Sequence, residues 1–118
     1  MTLPFAPGDD LIFQLESGYG LLRVLALGET DAGTVWHLLA YEDLFPDVET
    51  AEAALLDATR LTVRAPHLAL TEHALEKTPA ARLGNRPVRD EELTTYREWQ
   101  ARGGEPSERS ALLLLGVR

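Results

Sequence analysis

The chain has 118 residues, a net charge of −8 and no cysteine. This length fits one domain with a single core, so we expect one domain over residues 1–118. The elements described below predict that this domain is α+β. The lack of cysteine excludes disulfides, thiolate metal sites and cysteine nucleophiles. Because no stretch approaches the roughly 18 apolar residues of a membrane span and no signal peptide is evident, we expect a cytoplasmic protein with no membrane partner.

The negative charge is concentrated in the first half of the chain. Residues 1–60 contain eleven acidic residues and two arginines, whereas residues 61–118 contain nine basic and eight acidic residues. Nucleic-acid binding depends on clustered lysine and arginine side chains. The charge balance therefore argues against a nucleic-acid partner and favours a basic protein.

Residues 8–41 contain three apolar runs with glycine-containing turns between them. Apolar and polar residues alternate over 11–16, 19–27 and 34–41, with turns predicted at 17–18 and 28–33. The third run places Trp36, Leu38 and Ala40 on one face, opposite Val35, His37, Leu39 and Tyr41. This pattern is typical of an antiparallel β-meander.

The segment that follows the meander carries six acidic residues and no basic one. Asp47 is a suitable N-cap for a helix over about 47–58, and Glu49 lies in its first turn, where the helix dipole favours negative charge. Three interpretations remain open: a solvated helix face, a docking patch for a cationic partner, or a carboxylate pair for acid–base catalysis. The functional hypothesis is docking, and its predicted partner-binding residues are Glu42, Asp43, Phe45, Asp47, Glu49 and Glu52.

The second half mixes strand and helix signals. Residues 61–64 and 67–71 have β character, and Pro66 between them indicates an edge strand or a break. Residues 72–82 include one possible helical turn, and residues 83–87 read as a turn. A helix is predicted over about 90–102, beginning at Asp90 and ending at Gly103. Residues 110–117 are apolar on both faces, which predicts a strand covered on both sides.

These elements predict an α+β fold. The sheet is expected to be a twisted antiparallel sheet or a small SH3-like, partly open barrel of about five to seven strands, accompanied by two helices. We expect a monomer, or a homodimer formed through an exposed edge strand.

No recognised catalytic or cofactor motif is present. The three histidines lack the spacing of a zinc site, and no serine lies in a G-x-S-x-G elbow. The glycines fit turns between strands, whereas a phosphate loop would precede a helix. The sequence therefore predicts a non-enzymatic protein with no cofactor and no metal.

An alternative function rests on polar residues within the meander. His37 and Tyr41 share a strand face, and Arg23 on the neighbouring strand can approach them. A pocket between the sheet and the helices would then make the chain a small-molecule-binding domain or a small enzyme.

Four short segments also carry a family resemblance. They are the Gly8-Asp9 start, the L-I-F-Q-L run, the G-L-L-R-V-L run from Gly20 and the R-L-G-N-R-P-V-R-D-E-E-L run from Arg82. Together these segments resemble the small β-rich immunity proteins of bacterial polymorphic-toxin systems. The resemblance implies a cytoplasmic inhibitor that binds a cognate toxin and catalyses nothing. It assigns no site residue, because such proteins meet their toxins through variable surfaces.

Overall fold

A computed structural model describes residues 3–116 and shows an α+β fold, as predicted. The strands are β1 (Asp9–Leu15), β2 (Gly18–Thr30), β3 (Gly33–Tyr41), β4 (Val63–Thr71) and β5 (Ala80–Asn85). The helices are α1 (Val48–Leu55), α2 (Glu72–Glu76), α3 (Thr94–Ala101) and α4 (Ala111–Leu115). Short 3₁₀ helices span Ala58–Arg60 and Asp90–Leu93.

The five strands form one open antiparallel sheet in the order β4-β3-β2-β1-β5. Strands β1 to β3 are the predicted meander, and the sheet is open, with five strands as the lower end of the prediction gave. The β2–β3 hairpin is longer than predicted, since its ladder continues to the pair formed by Thr30 and Gly33. The predicted turn at 28–33 therefore shrinks to residues 31–32.

Each face of the sheet packs against its own helices. Trp36, Leu38 and Ala40 belong to a cluster that includes α2 and α4, through buried Leu75 and Leu115. The opposite face carries a second cluster, which α1 joins through Ala51. Its other buried members are Ile12, Leu21, Leu25, Leu39, Tyr41 and Phe45. The alternation predicted for β3 is confirmed, and α1 is fixed against the face that carries Tyr41.

The prediction of a C-terminal strand over 110–117 is wrong for residues 111–115, which form α4; Val117 lies outside the described residues. The Ser110 side chain accepts a hydrogen bond from the Leu113 amide, and Gly116 ends the helix with φ +68°. Ala111 and Leu115 are buried while Leu113 and Leu114 are exposed. A short continuous apolar run has no readable period, so caps decide between strand and helix.

Two further predictions need correction. Residues 83–85 were expected in a turn but belong to β5, which pairs with β1 and packs Leu83 against the α1-side cluster. The helix predicted over about 90–102 begins as a 3₁₀ segment, and α3 itself covers only Thr94–Ala101. The helix predicted over about 47–58 is α1, which ends at Leu55.

The two edges of the sheet differ. The outer edge of β4, which contains Pro66 in agreement with the edge prediction, is paired with Ser107 at Leu70. The Ser107 amide donates to the Ala69 carbonyl at 2.7 Å, and the Thr71 amide donates to the Ser107 carbonyl at 3.0 Å. Strand β5 pairs with β1 on one side and, within residues 3–116, has no strand on its other side.

Candidate functional site

Residues 42–57, called the acidic segment below, leave β3 and run into α1. Asp47 is the N-cap predicted from sequence: its carboxylate accepts bonds from the Thr50 amide at 2.8 Å and the Thr50 hydroxyl at 2.6 Å. Both hydrogen bonds lower the pKa of Asp47 below its ordinary value, and the bond from the hydroxyl has the larger effect. This carboxylate therefore serves helix initiation.

Two other predicted partner-binding residues hold the acidic segment in place. The Asp43 carboxylate accepts from the Thr62 amide at 2.6 Å. Phe45 is 9 % exposed and belongs to the α1-side cluster. Its amide and carbonyl exchange hydrogen bonds of 2.9 and 2.8 Å with Tyr19. Phe45 thus anchors the segment to the sheet and contributes little accessible surface.

The remaining predicted residues, Glu42, Glu49 and Glu52, are exposed. All seven ion pairs found within residues 3–116 lie outside the acidic segment. Helix α1 has no basic residue in its last turn to offset its carboxylates. The structure therefore leaves three glutamates of the segment available on the surface.

Arg23, from the alternative pocket hypothesis, lies inside the protein with 1 % exposure. Its Nε donates to Glu92 at 2.7 Å, and its Nη1 lies 3.4 Å from Asp10 and donates to the Gly8 carbonyl at 3.0 Å. Its Nη2 donates to the carbonyls of Arg86 and Pro87. Every nitrogen of this guanidinium is thus used to hold the chain together.

Arg86 completes this ion network, which consists of Arg23, Arg86, Asp10 and Glu92. It donates to the Asp10 carboxylate at 2.6 and 2.7 Å and to the Tyr41 hydroxyl at 3.3 Å. The bond to Asp10 is the main reason that the pKa of Arg86 is raised. Burial tends to raise the pKa of Glu92, but the bond and charge of Arg23 outweigh it and lower that pKa.

His37 belongs to a different cluster. It is 2 % exposed, and its Nδ1 lies 2.9 Å from Nε2 of His67. The rings of Tyr96 and Trp99 on α3 cover it, with centroids 4.3 and 4.9 Å from its own. Burial is the main reason that the pKa of His37 is lowered to about 4, and the charge of His67 contributes less. The pKa of His67 is also lowered, mainly by burial and to a smaller extent by the charge of Arg102.

The three residues of the alternative hypothesis do not meet in one pocket. Tyr41 lines a groove of about 350 Å³ together with Arg86, Arg89 and Glu92. Arg23 is enclosed by the ion network, and His37 is covered by α3. The sequence offered one signal of the network, since Arg23 is the only basic residue before Arg60 and sits in an apolar strand. Its partners Asp10 and Glu92 carried no comparable signal.

The histidine cluster makes stability depend on pH. The folded-state pKa of His37, about 4, lies below the ordinary 6.5, so the unfolded chain takes up this proton first. The contribution of neutral His37 to the free energy of unfolding is therefore complete above pH 6.5 and is lost as the pH falls toward 4. Between pH 7 and pH 5 we expect urea denaturation to show a loss of about 2 kcal/mol.

The variant His37→Phe keeps a ring under α3 and removes this titration, so its stability should fall less over the same interval. The lowered pKa values of Asp9 and Glu92 act mainly below pH 5. Equal stability of the wild type at pH 7 and pH 5 contradicts the assignment.

Comparison with known proteins gave no match among protein-family models, curated sequences or solved structures. Over residues 3–116, no group of three or more metal-ligating side chains converges. No helix in the same range has the length and apolar character required to cross a membrane.

Proposed function

We propose that this chain is a non-enzymatic interaction module that binds a basic protein through the acidic segment. The observation that carries the proposal is that one short stretch of the surface holds several carboxylates that are unpaired within residues 3–116, and no basic residue. Glu42, Glu49 and Glu52 are exposed and lie outside every ion pair found in residues 3–116, and residues 42–57 contain no lysine or arginine. Complementary charge accelerates encounter and rejects like-charged partners.

The way the segment is held supports this proposal. Asp47 caps α1, Asp43 bonds to Thr62, and Phe45 is packed into the core. These contacts fix the backbone that carries the three free glutamates. A preorganised surface loses less entropy on binding than a mobile acidic tail.

The resemblance to immunity proteins suggests the kind of partner. A toxin that acts on nucleic acid needs a basic surface to contact phosphates. An acidic immunity-type protein would bind and neutralise that surface. We therefore propose toxin neutralisation in a bacterial cytoplasm as the biological form of the interaction.

Small-molecule binding has weaker support. The groove beside Tyr41 has a suitable volume of about 350 Å³. However, three of its charged groups are already paired: Arg86 bonds to Asp10, which lies outside the lining, and Arg89 bonds to Glu92. A ligand would have to compete with these pairs.

The proposal predicts salt-sensitive capture of a basic protein. The immobilised chain should retain such a partner from the source cell at about 50 mM salt and release most of it at about 500 mM, because exposed charges are screened. The double variant Glu49→Lys/Glu52→Lys should lose capture at both salt concentrations. Capture of no basic protein, or capture that the double variant retains, overturns the proposal.

A further inference from the structure

The uncovered edge of β5 runs beside the acidic segment. Strand β5 pairs with β1 only, and its neighbour across the sheet face is α1, which packs on the same cluster as Leu83. An exposed strand edge presents backbone N–H and C=O groups to any extended chain. At the opposite edge of the sheet, Ser107 pairs with β4 at Leu70, so part of that edge is already occupied. The outer edge of β5 pairs with no strand within residues 3–116.

Two hollows flank this edge on the α1 side. The first, of about 390 Å³, lies at the start of β5, between Val48 and Tyr19 on one side and Pro79 to Ala81 on the other. The second, of about 260 Å³, lies at the end of β5, where Glu52, Leu55 and Leu56 face Leu83 and Gly84. Leu56 is 90 % exposed at the rim of the second hollow.

The hollows differ in chemistry. The first has no charged residue in its lining. The charged residues of the second are Asp10, Glu52 and Arg86. Arg86 makes two bonds to Asp10, which leaves the charge of Glu52 unbalanced. The second hollow therefore suits a lysine or arginine whose apolar stem lies on Leu55 and Leu56 while its head reaches Glu52.

We propose that an extended segment of the basic partner adds to β5 as a sixth strand of the sheet. Its backbone bonds to the outer edge of β5, an apolar side chain enters the first hollow, and a lysine or arginine enters the second. Side chains on one face of a strand recur every second residue at about 3.3 Å per residue. On β5 the first hollow is lined by Ala80 and Ala81 and the second by Leu83 to Asn85, so we place the two side chains about four residues apart, or roughly 13 Å. The inference rests on the proposed function and names the contact that serves it.

Charge decides between this occupant and a second copy of the chain. Each copy carries a net charge of −8. Pairing two β5 edges would bring two acidic segments together, whereas a basic segment balances Glu52. Strand addition draws affinity from main-chain bonds and specificity from pockets for alternate side chains, and this edge offers both.

The test uses blocked, fluorescently labelled nine-residue peptides in a threonine-rich background, with a valine and an arginine four residues apart in either order. Binding to the full chain is measured by anisotropy at low salt. At least one order should bind, and replacing its arginine with glutamate should abolish binding. The variant Glu52→Lys should weaken binding about tenfold. The matched variant Glu49→Lys, on the same helix but outside the hollows, should have a smaller effect.

Amide hydrogen exchange locates the peptide. Outward-facing amides within residues 80–85 should exchange at least tenfold more slowly when the peptide is bound, and β4 amides should not change. Binding of neither peptide order, binding without protection of β5, or protection of β5 already present in a dimer of the free chain each overturns the inference. If the captured basic partner depends on Glu49 and Glu52 yet leaves β5 exchange unchanged, the inference fails while the proposed function stands. If β5 is protected but Glu52→Lys has no effect, the inferred cationic contact fails, while the proposed function is decided separately by capture with the Glu49→Lys/Glu52→Lys variant.

Discussion

Arg23→Ala is expected to lower the free energy of unfolding by about 3–5 kcal/mol, because it removes the buried cation of the ion network and every hydrogen bond that it donates. Asp10 keeps its two bonds to Arg86 and Glu92 keeps Arg89 at 3.2 Å, but neither arginine replaces the bonds that Arg23 makes inside the protein. Asp10 is 2 % exposed and Glu92 loses its 2.7 Å partner. The carbonyls of Gly8, Arg86 and Pro87 also lose their donor. Urea denaturation at pH 7 measures the change.

A matched control comes from an exposed ion pair. Arg97 donates to Asp90 at 2.7 Å, but both side chains are more than half exposed, so water replaces the lost contact. Arg97→Ala should therefore leave the unfolding midpoint nearly unchanged. A similar small change for Arg23→Ala shows that the ion network does not hold residues 86–92 to the sheet.

Trp36→Ala should also cost about 3–5 kcal/mol, since it opens a cavity in the middle of the sheet. Trp36 is completely buried, and its ring packs edge-on against Phe5 at a centroid distance of 6.1 Å. The surrounding strands β2 and β4 limit how far the core can close over the gap. Thermal or urea denaturation with tryptophan-free detection, such as far-UV circular dichroism, measures the loss.

The matched variant Trp36→Phe separates packing from polarity. Within the described residues, Nε1 of Trp36 is buried and has no hydrogen-bond partner. Phenylalanine retains most of the ring and removes this desolvated N–H, which offsets part of the lost packing. Its cost should be well below that of Trp36→Ala. Equal losses for the two variants contradict this assignment of the indole.

The sequence predicted the elements whose formation depends on residues close together in the chain. The alternation of apolar and polar residues predicted strands β1 to β3 and both faces of β3. The N-cap residue Asp47 predicted the start of α1. The same reasoning failed at 111–115, because four consecutive leucines have no period that separates helix from strand. It failed at β5 because Gly84 and Asn85 have turn chemistry but pair with β1.

The candidate functional surface was only partly predictable for a related reason. The acidic segment is visible in the sequence, but its division into structural and free carboxylates depends on Thr62 and on packing against the sheet. The ion network joins residues separated by 69 to 76 positions, such as Arg23 with Glu92 and Asp10 with Arg86. Contacts over such distances leave no trace in spacing or periodicity.

The central claim is that local charge on the acidic segment steers a basic partner. It is tested most directly by the association rate constant for the captured partner, measured against ionic strength. The comparison uses the wild type, Glu49→Lys/Glu52→Lys and the control Glu98→Lys/Glu105→Lys, whose two glutamates are also exposed and outside every ion pair found. Both double variants change the net charge equally.

The account predicts a rate that falls steeply with salt for the wild type and less steeply for the control. For Glu49→Lys/Glu52→Lys it predicts a rate at least tenfold lower at low salt and nearly independent of salt. Equal rates for the two double variants at every ionic strength would contradict the claim, since net charge alone would then explain the attraction.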